Sequence, residues 1–160
     1  GFVGRLDRVK GPLTLAKAVK PLDVDVVIVG TGEVYDELRR ALPRAHYVDF
    51  VPQADLPEVY AAFDVLAFPT EREALGLVPI EALACGVPVV APRAFANGEF
   101  VRAGESGVLV APGSAEALRA GIQKALMRPR TDWTAGCRRV ALEYEQDAVA
   151  HALVRRLQAL

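Results

Sequence analysis

Short runs of β-branched residues alternate along the chain with longer stretches in which apolar residues recur at helical spacing. The run from Val26 to Val29 is apolar without alternation, which is typical of a central strand buried on both faces. This alternation predicts an α/β fold with a doubly wound, mostly parallel sheet flanked by helices. The predicted strands are 24–30, 46–51, 65–69, 87–91 and 108–110, and the predicted helices are 33–42, 56–63, 79–85 and 115–127.

The loops that follow these strands are expected to meet at one edge of the sheet. In an open α/β sheet, ligands bind in the crevice outside the carboxyl ends of the strands. The loops expected to share this crevice are 4–11, 30–33, 51–56, 69–78 and 92–98.

The last part of the chain is predicted to be helical. Ser114 is a suitable N-cap for helix 115–127, and Pro129 ends it. Apolar residues at helical spacing predict two more helices, 132–144 and 146–160, which would pack on the flank of the sheet or reach a further domain. The apolar stripe of helix 115–127 consists of Leu118, Ile122, Ala125 and Leu126.

Composition excludes several classes of protein. Of the 160 residues, 52% are apolar and 24% charged, as in a folded domain with its own core. The 19 basic and 20 acidic residues give a net charge of −1, so nothing global favours nucleic acid or an anionic membrane. Cys85 and Cys137 lie far apart without metal-ligand spacing, so we expect no zinc site and no disulfide. No apolar run reaches the length of a membrane span. We therefore expect a soluble, cytoplasmic protein.

The residues that could bind a ligand are concentrated around Gly76. Glu73 and Glu81 stand eight residues apart across a glycine turn between a predicted strand and a predicted helix. The free N–H groups of Leu77 and Val78 at the helix start suit a diphosphate, and the carboxylates suit sugar hydroxyls. The alternative is an ordinary strand-to-helix turn, in which Glu81 only complements the helix dipole.

Two further loops carry weaker signals. In loop 4–11, Arg5 and Lys10 could neutralise a diphosphate, although surface loops often carry two solvated cations. Gly30 and Gly32 follow a strand, but Tyr35 stands where a dinucleotide fingerprint needs a third glycine. A nicotinamide dehydrogenase is therefore disfavoured.

Taken together, these segments resemble the C-terminal, donor-binding domain of the retaining nucleotide-sugar glycosyltransferases of group 1, which have the GT-B fold and a Glu-x7-Glu hallmark. The resemblance covers residues 1 to about 126 in collinear order. The residues that carry it are Gly4, Arg5, Lys10, Gly11, Gly30, Gly32, Phe50, Val51, Tyr60, Asp64, Pro69, Glu73, Ala74, Leu75, Gly76, Glu81, Ala82, Gly86, Pro88, Val89, Val90, Ala91, Glu99, Gly107, Leu109 and Val110.

The resemblance implies a role for each part of the site. Arg5 and Lys10, with the amides of Leu77 and Val78, would bind the donor diphosphate, while Gly4 and Gly32 would belong to the loops around it. Glu81 would hold the ribose hydroxyls, and the Val51 backbone would meet the base. Glu73 would contact the transferred sugar, helped by main-chain groups of Ala74, Leu75 and Gly76. Glu73, Arg5 and Lys10 would be the catalytic residues, and neither metal nor cofactor would be needed.

The resemblance also implies what this chain lacks. The acceptor site of the family lies in an N-terminal domain, so residues 1–160 would be the donor domain alone, which binds the nucleotide sugar without turning it over. Residues 1–4 read as the end of a strand in progress, and the only methionine is Met127, which agrees with a fragment. Pro52 stands where the family usually has glycine, which removes one N–H near the predicted base contact.

Two other readings remain open. A nucleotide-sugar epimerase of the same fold would share the diphosphate site and would epimerise the donor sugar without an acceptor. A non-catalytic nucleotide-binding module would bind ligand with no chemistry.

Overall fold

The computed structural model describes residues 1–70, 72, 76–94 and 96–145. Within these ranges the chain forms six strands and seven α-helices, with a 3₁₀ turn at Gln53–Asp55. The strands are β1 (Phe2–Val3), β2 (Val27–Val29), β3 (His46–Val48), β4 (Leu66–Ala67), β5 (Val89–Pro92) and β6 (Gly107–Val110). The helices are α1 (Pro12–Val19), α2 (Tyr35–Ala41), α3 (Leu56–Ala61), α4 (Leu77–Ala84), α5 (Asn97–Phe100), α6 (Ala115–Leu126) and α7 (Thr131–Leu142).

The strands pair in parallel in two groups of three, β1-β2-β3 and β4-β5-β6, across the described part of the chain. The two groups meet at Gly1, whose amino group donates to the Val65 oxygen over 2.8 Å and whose oxygen accepts from the Ala67 N–H over 2.9 Å. The strand order across the molecule is therefore β3-β2-β1-β4-β5-β6, which is the order of a doubly wound sheet. The predicted fold class is confirmed.

Helices cover both faces of this sheet. One layer holds α1 between α2 and α6, and the other holds α4 between α3 and α7. In α6, Ser114 caps the helix by accepting from the Ala117 N–H over 3.0 Å, as predicted. Gly121 lets α6 lie close to the sheet, since a Cβ there would come within 2.5 Å of a Val110 methyl group. None of the described helices is long and apolar enough to cross a membrane.

Several predicted boundaries were wrong, mostly by one to three residues. Strand β2 is shorter than predicted and ends before Gly30, whose φ of 132° departs from strand geometry. Helix α4 begins at Leu77 rather than Pro79, because Gly76 and not Val78 is the N-cap. Leu126 was placed on the buried stripe of α6 but is 39% exposed. The predicted helix 146–160 lies outside the described residues.

Candidate functional site

The crevice of this fold lies where β1 and β4 run side by side. After β1 the chain turns into α1 in one helix layer, and after β4 it continues to α4 in the other. In a doubly wound sheet, two neighbouring strands that lead to helices on opposite faces leave a cleft at their carboxyl ends, and ligands bind there. The strand order brings loop 4–11 beside the end of β4, while residues 71 and 73–75 of loop 69–78 lie outside the described residues.

The loop after β1 presents two cations around one aspartate. The Arg5 side chain is 81% exposed, and its guanidinium lies 3.2 Å from Asp7 Oδ2. The other oxygen, Asp7 Oδ1, accepts from the Lys10 backbone N–H over 2.9 Å and so fixes the turn. Asp7 was missed in the sequence analysis, although an aspartate three residues before Lys10 is a typical turn signal. Because exposed ion pairs contribute only about 0.2–1 kcal/mol, Arg5 can leave Asp7 for an anionic ligand at little cost.

Gly30 and Gly32 hold the neighbouring loop against this one. A Cβ on Gly30 would lie 2.0 Å from the Gly4 oxygen, and a Cβ on Gly32 would lie 2.5 Å from the Leu6 oxygen. Leu6 bonds to this loop at both ends, donating its N–H to the Thr31 oxygen over 2.9 Å and accepting from the Val34 N–H over 3.0 Å. The two glycines thus have a packing reason to be glycine, beside any contact with ligand.

Two buried polar side chains tie the loops of the crevice together. The Thr70 hydroxyl donates to the Val9 oxygen over 3.1 Å, which joins the end of β4 to the loop after β1. Asn97 Nδ2 donates to the Thr70 oxygen over 3.3 Å and to the Pro92 oxygen over 2.9 Å, which adds the loop after β5. Both side chains are 1% exposed. Sequence reasoning missed them, since their partners are distant in the chain.

Helix α4 starts at the same edge. Its first two residues, Leu77 and Val78, have N–H groups with no acceptor inside the helix. Leu77 is 63% exposed, while Gly76 before it is buried. The helix therefore offers free donors and the positive end of its dipole on the β4 side of the cleft. Glu73, Ala74 and Leu75 lie outside the described residues.

Glu81 lies one turn further along α4 and is held by a tyrosine. The Tyr60 hydroxyl donates to Glu81 Oε2 over 2.8 Å, from a side chain only 1% exposed. Burial first, and then the bond to Glu81, raise the pKa of Tyr60 far above its usual range, so the phenol stays a proton donor. Tyr60 belongs to α3, which follows the loop of Val51. Val51 itself is half-buried and packs on the core.

The described part of the site suits an extended, negatively charged ligand. Loop 4–11 carries the cations, the first residues of α4 carry N–H donors, and Glu81 lies one turn further along the same helix. No cluster of three or more His, Cys, Asp or Glu side chains that could hold a metal ion occurs among the residues the structure describes. The two cysteines are free thiols, Cys85 half-buried and Cys137 buried.

Known proteins share both the sequence and the fold. The model of the family "Glycosyl transferases group 1" matches residues 1–128. A D-inositol 3-phosphate glycosyltransferase of Corynebacterium diphtheriae is 43% identical over an alignment that covers 68% of this chain and 30% of the relative. The chain thus spans less than a third of the length of the curated relatives it matches.

Solved structures agree. Sucrose-phosphate synthase from Thermosynechococcus elongatus superposes with a TM-score of 0.85 at 31% identity, over 99% of this chain and 45% of that one. HepE of Anabaena, crystallised with UDP, gives a TM-score of 0.82 at 28% identity, over 100% of this chain and 48% of that one. Since the family model covers most of the chain, the protein belongs to the group 1 glycosyl transferases.

Proposed function

We propose that this chain is the donor-binding part of a glycosyltransferase that moves a sugar from a nucleoside diphosphate to an acceptor with retention of configuration. The observation that carries the proposal is the contact between the cationic loop 4–11 and the end of β4, where the Thr70 hydroxyl bonds to the Val9 oxygen, because this is the switch point of the sheet at which ligands bind. A family that transfers sugars needs such a site for the diphosphate of its donor.

The diphosphate would lie between Arg5 and Lys10 on one side and the amides of Leu77 and Val78 on the other. Arg5 is exposed and only weakly held by Asp7, so it is available to a phosphate oxygen. The helix N-terminus adds donors that need no rearrangement. Gly30 and Gly32 hold the two loops close together, and the backbone at Gly4 and Gly32 would approach the phosphates.

The remaining contacts would follow the length of the donor. Glu81 would accept hydrogen bonds from the ribose hydroxyls, and the Val51 backbone, after β3, would meet the base. Glu73, with main-chain groups of residues 74–76, would hold the sugar that is transferred. The UDP found in HepE of Anabaena makes UDP the first probe to try with this chain.

Charge stabilisation would be the main catalytic contribution of this chain. When the sugar leaves, the diphosphate gains negative charge, and donors already aimed at it lower the barrier without reorganisation. Arg5, Lys10 and the α4 dipole would supply this stabilisation without a metal ion. Glu73 would position the sugar for attack.

We propose that an acceptor domain, N-terminal in the full protein, closes over this edge. Three large apolar side chains on the loops of this edge or at the start of α4 are exposed, Val9 by 53%, Phe50 by 79% and Leu77 by 63%. A second domain would cover them and supply the acceptor site, so this chain alone would bind donor without turnover. We place the protein in the cytoplasm, where nucleotide sugars would reach it.

Calorimetric titration of the chain with UDP, GDP and ADP tests the proposal. One nucleotide should bind selectively, and Glu81→Ala and Arg5→Ala should each weaken it about tenfold or more, because each removes hydrogen bonds that involve a charged group. Arg44→Ala is the matched control, since Arg44 is exposed on the opposite edge, after α2. Nucleotide binding that neither Glu81→Ala nor Arg5→Ala reduces would contradict the assignment of the site.

A further inference from the structure

Helix α3 lies next to two of the proposed nucleotide contacts. It follows directly after the loop of Val51 and packs against α4. Across this contact the Tyr60 hydroxyl reaches Glu81 Oε2 over 2.8 Å. One short helix therefore links the proposed base contact to the proposed ribose contact.

The hydrogen bond restricts a side chain that would otherwise be mobile. Glu81 is half-buried on α4, and a glutamate has three side-chain torsions that are free unless something holds the carboxylate. Among the residues that the structure describes, Tyr60 alone donates a hydrogen bond to the Glu81 carboxylate. Each carboxylate oxygen has two acceptor positions, so the bond to Tyr60 leaves Oε1 and one position on Oε2 available.

Tyr60 is itself rigid. Its side chain is 1% exposed, and its ring meets Phe63 edge to face, with centroids 6.1 Å apart. Water has little access to the hydroxyl, so Glu81 has no competitor for its proton. A fixed donor of this kind sets the plane of the carboxylate before any ligand arrives.

We propose that Tyr60 is a positioning residue that orients Glu81 for the 2′- and 3′-hydroxyls of the ribose of a nucleoside diphosphate, and so sets the preference of the site for ribonucleotides over deoxyribonucleotides. This inference rests on the proposed function, because it needs a nucleotide in the cleft. A merely structural Tyr60 would join α3 to α4 without any effect on the choice of sugar.

The test compares three ligands on four proteins. The ligands are UDP, 2′-deoxy-UDP and 2′,3′-dideoxy-UDP, or the same three forms of the nucleotide whose base binds best. Each is titrated into the wild-type chain, Tyr60→Phe, Glu81→Gln and the double variant. Tyr60→Phe should weaken the ribonucleotide about three- to tenfold, the range for one hydrogen bond, and leave the dideoxynucleotide unchanged. In the double variant, Tyr60→Phe should add no further loss.

Tyr47→Phe is the matched control. It also removes one phenolic hydroxyl, which donates to the Leu38 and Leu42 oxygens, each over 3.1 Å, in the other helix layer. This variant should keep the wild-type ratio of ribonucleotide to dideoxynucleotide affinity. Urea unfolding of both tyrosine variants checks that each is folded under the titration conditions.

The outcomes separate the two proposals. If the wild-type chain binds none of the nucleotides, the proposed function fails and this inference falls with it. If nucleotides bind and Glu81→Gln removes the ribose preference while Tyr60→Phe leaves it intact, only the role of Tyr60 is overturned. An equal loss for all three ligands in Tyr60→Phe would also overturn it, since that pattern marks a general structural effect.

Discussion

The Thr70 hydroxyl bonds to the Val9 backbone oxygen over 3.1 Å and so joins two loops that are 61 residues apart in the chain. Val9 belongs to the cationic loop after β1, and Thr70 follows β4, so the bond spans the edge where the two halves of the sheet meet. Gly11 also contributes to this junction, because its backbone packs so closely against Pro69 that a side chain at Gly11 would have little space. The position of the cationic loop is therefore set by the end of β4.

Removing the Thr70 hydroxyl should weaken the contact that positions the cationic loop. Thr70→Val keeps the shape of the side chain but leaves the Val9 oxygen without its donor, at a cost of about 1–3 kcal/mol in unfolding free energy. Thr70→Ser keeps the donor and loses only a buried methyl group, worth about 1 kcal/mol. We expect weaker nucleoside diphosphate binding in Thr70→Val alone, measured by calorimetry beside urea unfolding. Equal binding by the two variants would show that the bond does not position the loop.

The sequence predicts those parts of the fold that depend on local pattern. Ser114 could be assigned as a cap because its partner, the Ala117 N–H, is three residues away. The apolar run at Val26 marked an interior strand, β2, because this signal too is local in the sequence. Asn97 could not be assigned, because its role depends on the Thr70 and Pro92 oxygens, which only the folded sheet brings together.

In the candidate site, too, residues with a local sequence signal were predicted, and residues whose contacts only the fold creates were not. Arg5 and Lys10 were recognised from their loop and from the family resemblance, but the aspartate between them was not, although one of its oxygens fixes the turn while the other pairs with Arg5. The contact of Tyr60 with Glu81 crosses from α3 to α4 and has no signal in the spacing of either helix. The structure adds these supporting residues, while the ligand contacts themselves stay predictions.

Gly32 should tolerate no side chain. The Cβ of alanine there would lie 2.5 Å from the Leu6 oxygen and 2.7 Å from its carbonyl carbon, so the backbone must move. We expect Gly32→Ala to destabilise the chain by about 1–3 kcal/mol, the usual range for overpacking.

Gly98→Ala provides the comparison for Gly32→Ala. A Cβ on Gly98 would meet nothing within 4 Å, and the residue lies in α5. Alanine should be neutral there or stabilise the helix by about 0.5–1 kcal/mol. Thermal unfolding of the two variants measures the contrast, and similar melting temperatures would contradict the close approach at Gly32.

Arg130 fixes the ends of the two helices that carry Tyr60 and Glu81. Its guanidinium donates to the Ala61 oxygen, to the Phe63 oxygen over 3.3 Å and to the Cys85 oxygen over 3.4 Å, at the C-terminal ends of α3 and α4. Arg130→Lys keeps the charge but loses the fork that reaches several carbonyls. We expect a loss of about 1–3 kcal/mol in unfolding free energy.

Arg138→Lys is the control for this change. Arg138 lies on α7, the helix that begins directly after Arg130, in an exposed position, and donates no hydrogen bond to any residue that the structure describes. Its replacement should shift the free energy of unfolding by less than about 0.5 kcal/mol. Urea denaturation measures the free energy of unfolding of both variants. Equal values would mean that the hydrogen bonds of Arg130 do not stabilise the ends of α3 and α4.

The ion pair of Arg102 with Glu143 should make stability depend on pH. The two guanidinium nitrogens lie 2.8 and 2.5 Å from the two carboxylate oxygens, and this bond lowers the pKa of Glu143 below its usual range. A carboxyl group with a lowered folded-state pKa contributes stability above its unfolded pKa of about 4.3 and loses that contribution as pH falls through the folded value. Because the side chains are 37% and 49% exposed, the contribution should stay at or below about 1 kcal/mol.

Glu143→Gln should therefore destabilise the chain at pH 7 and have no effect well below pH 4. The variant and the wild type are compared by urea unfolding from pH 7 to about pH 3, and the difference should shrink as Glu143 takes up its proton. A double-mutant cycle with Arg102→Gln isolates the pair from the second contact of Arg102, to Glu105 over 3.8 Å. A difference that stays constant across this range would show that Glu143 acts through packing, since only a charged pair loses its energy on protonation.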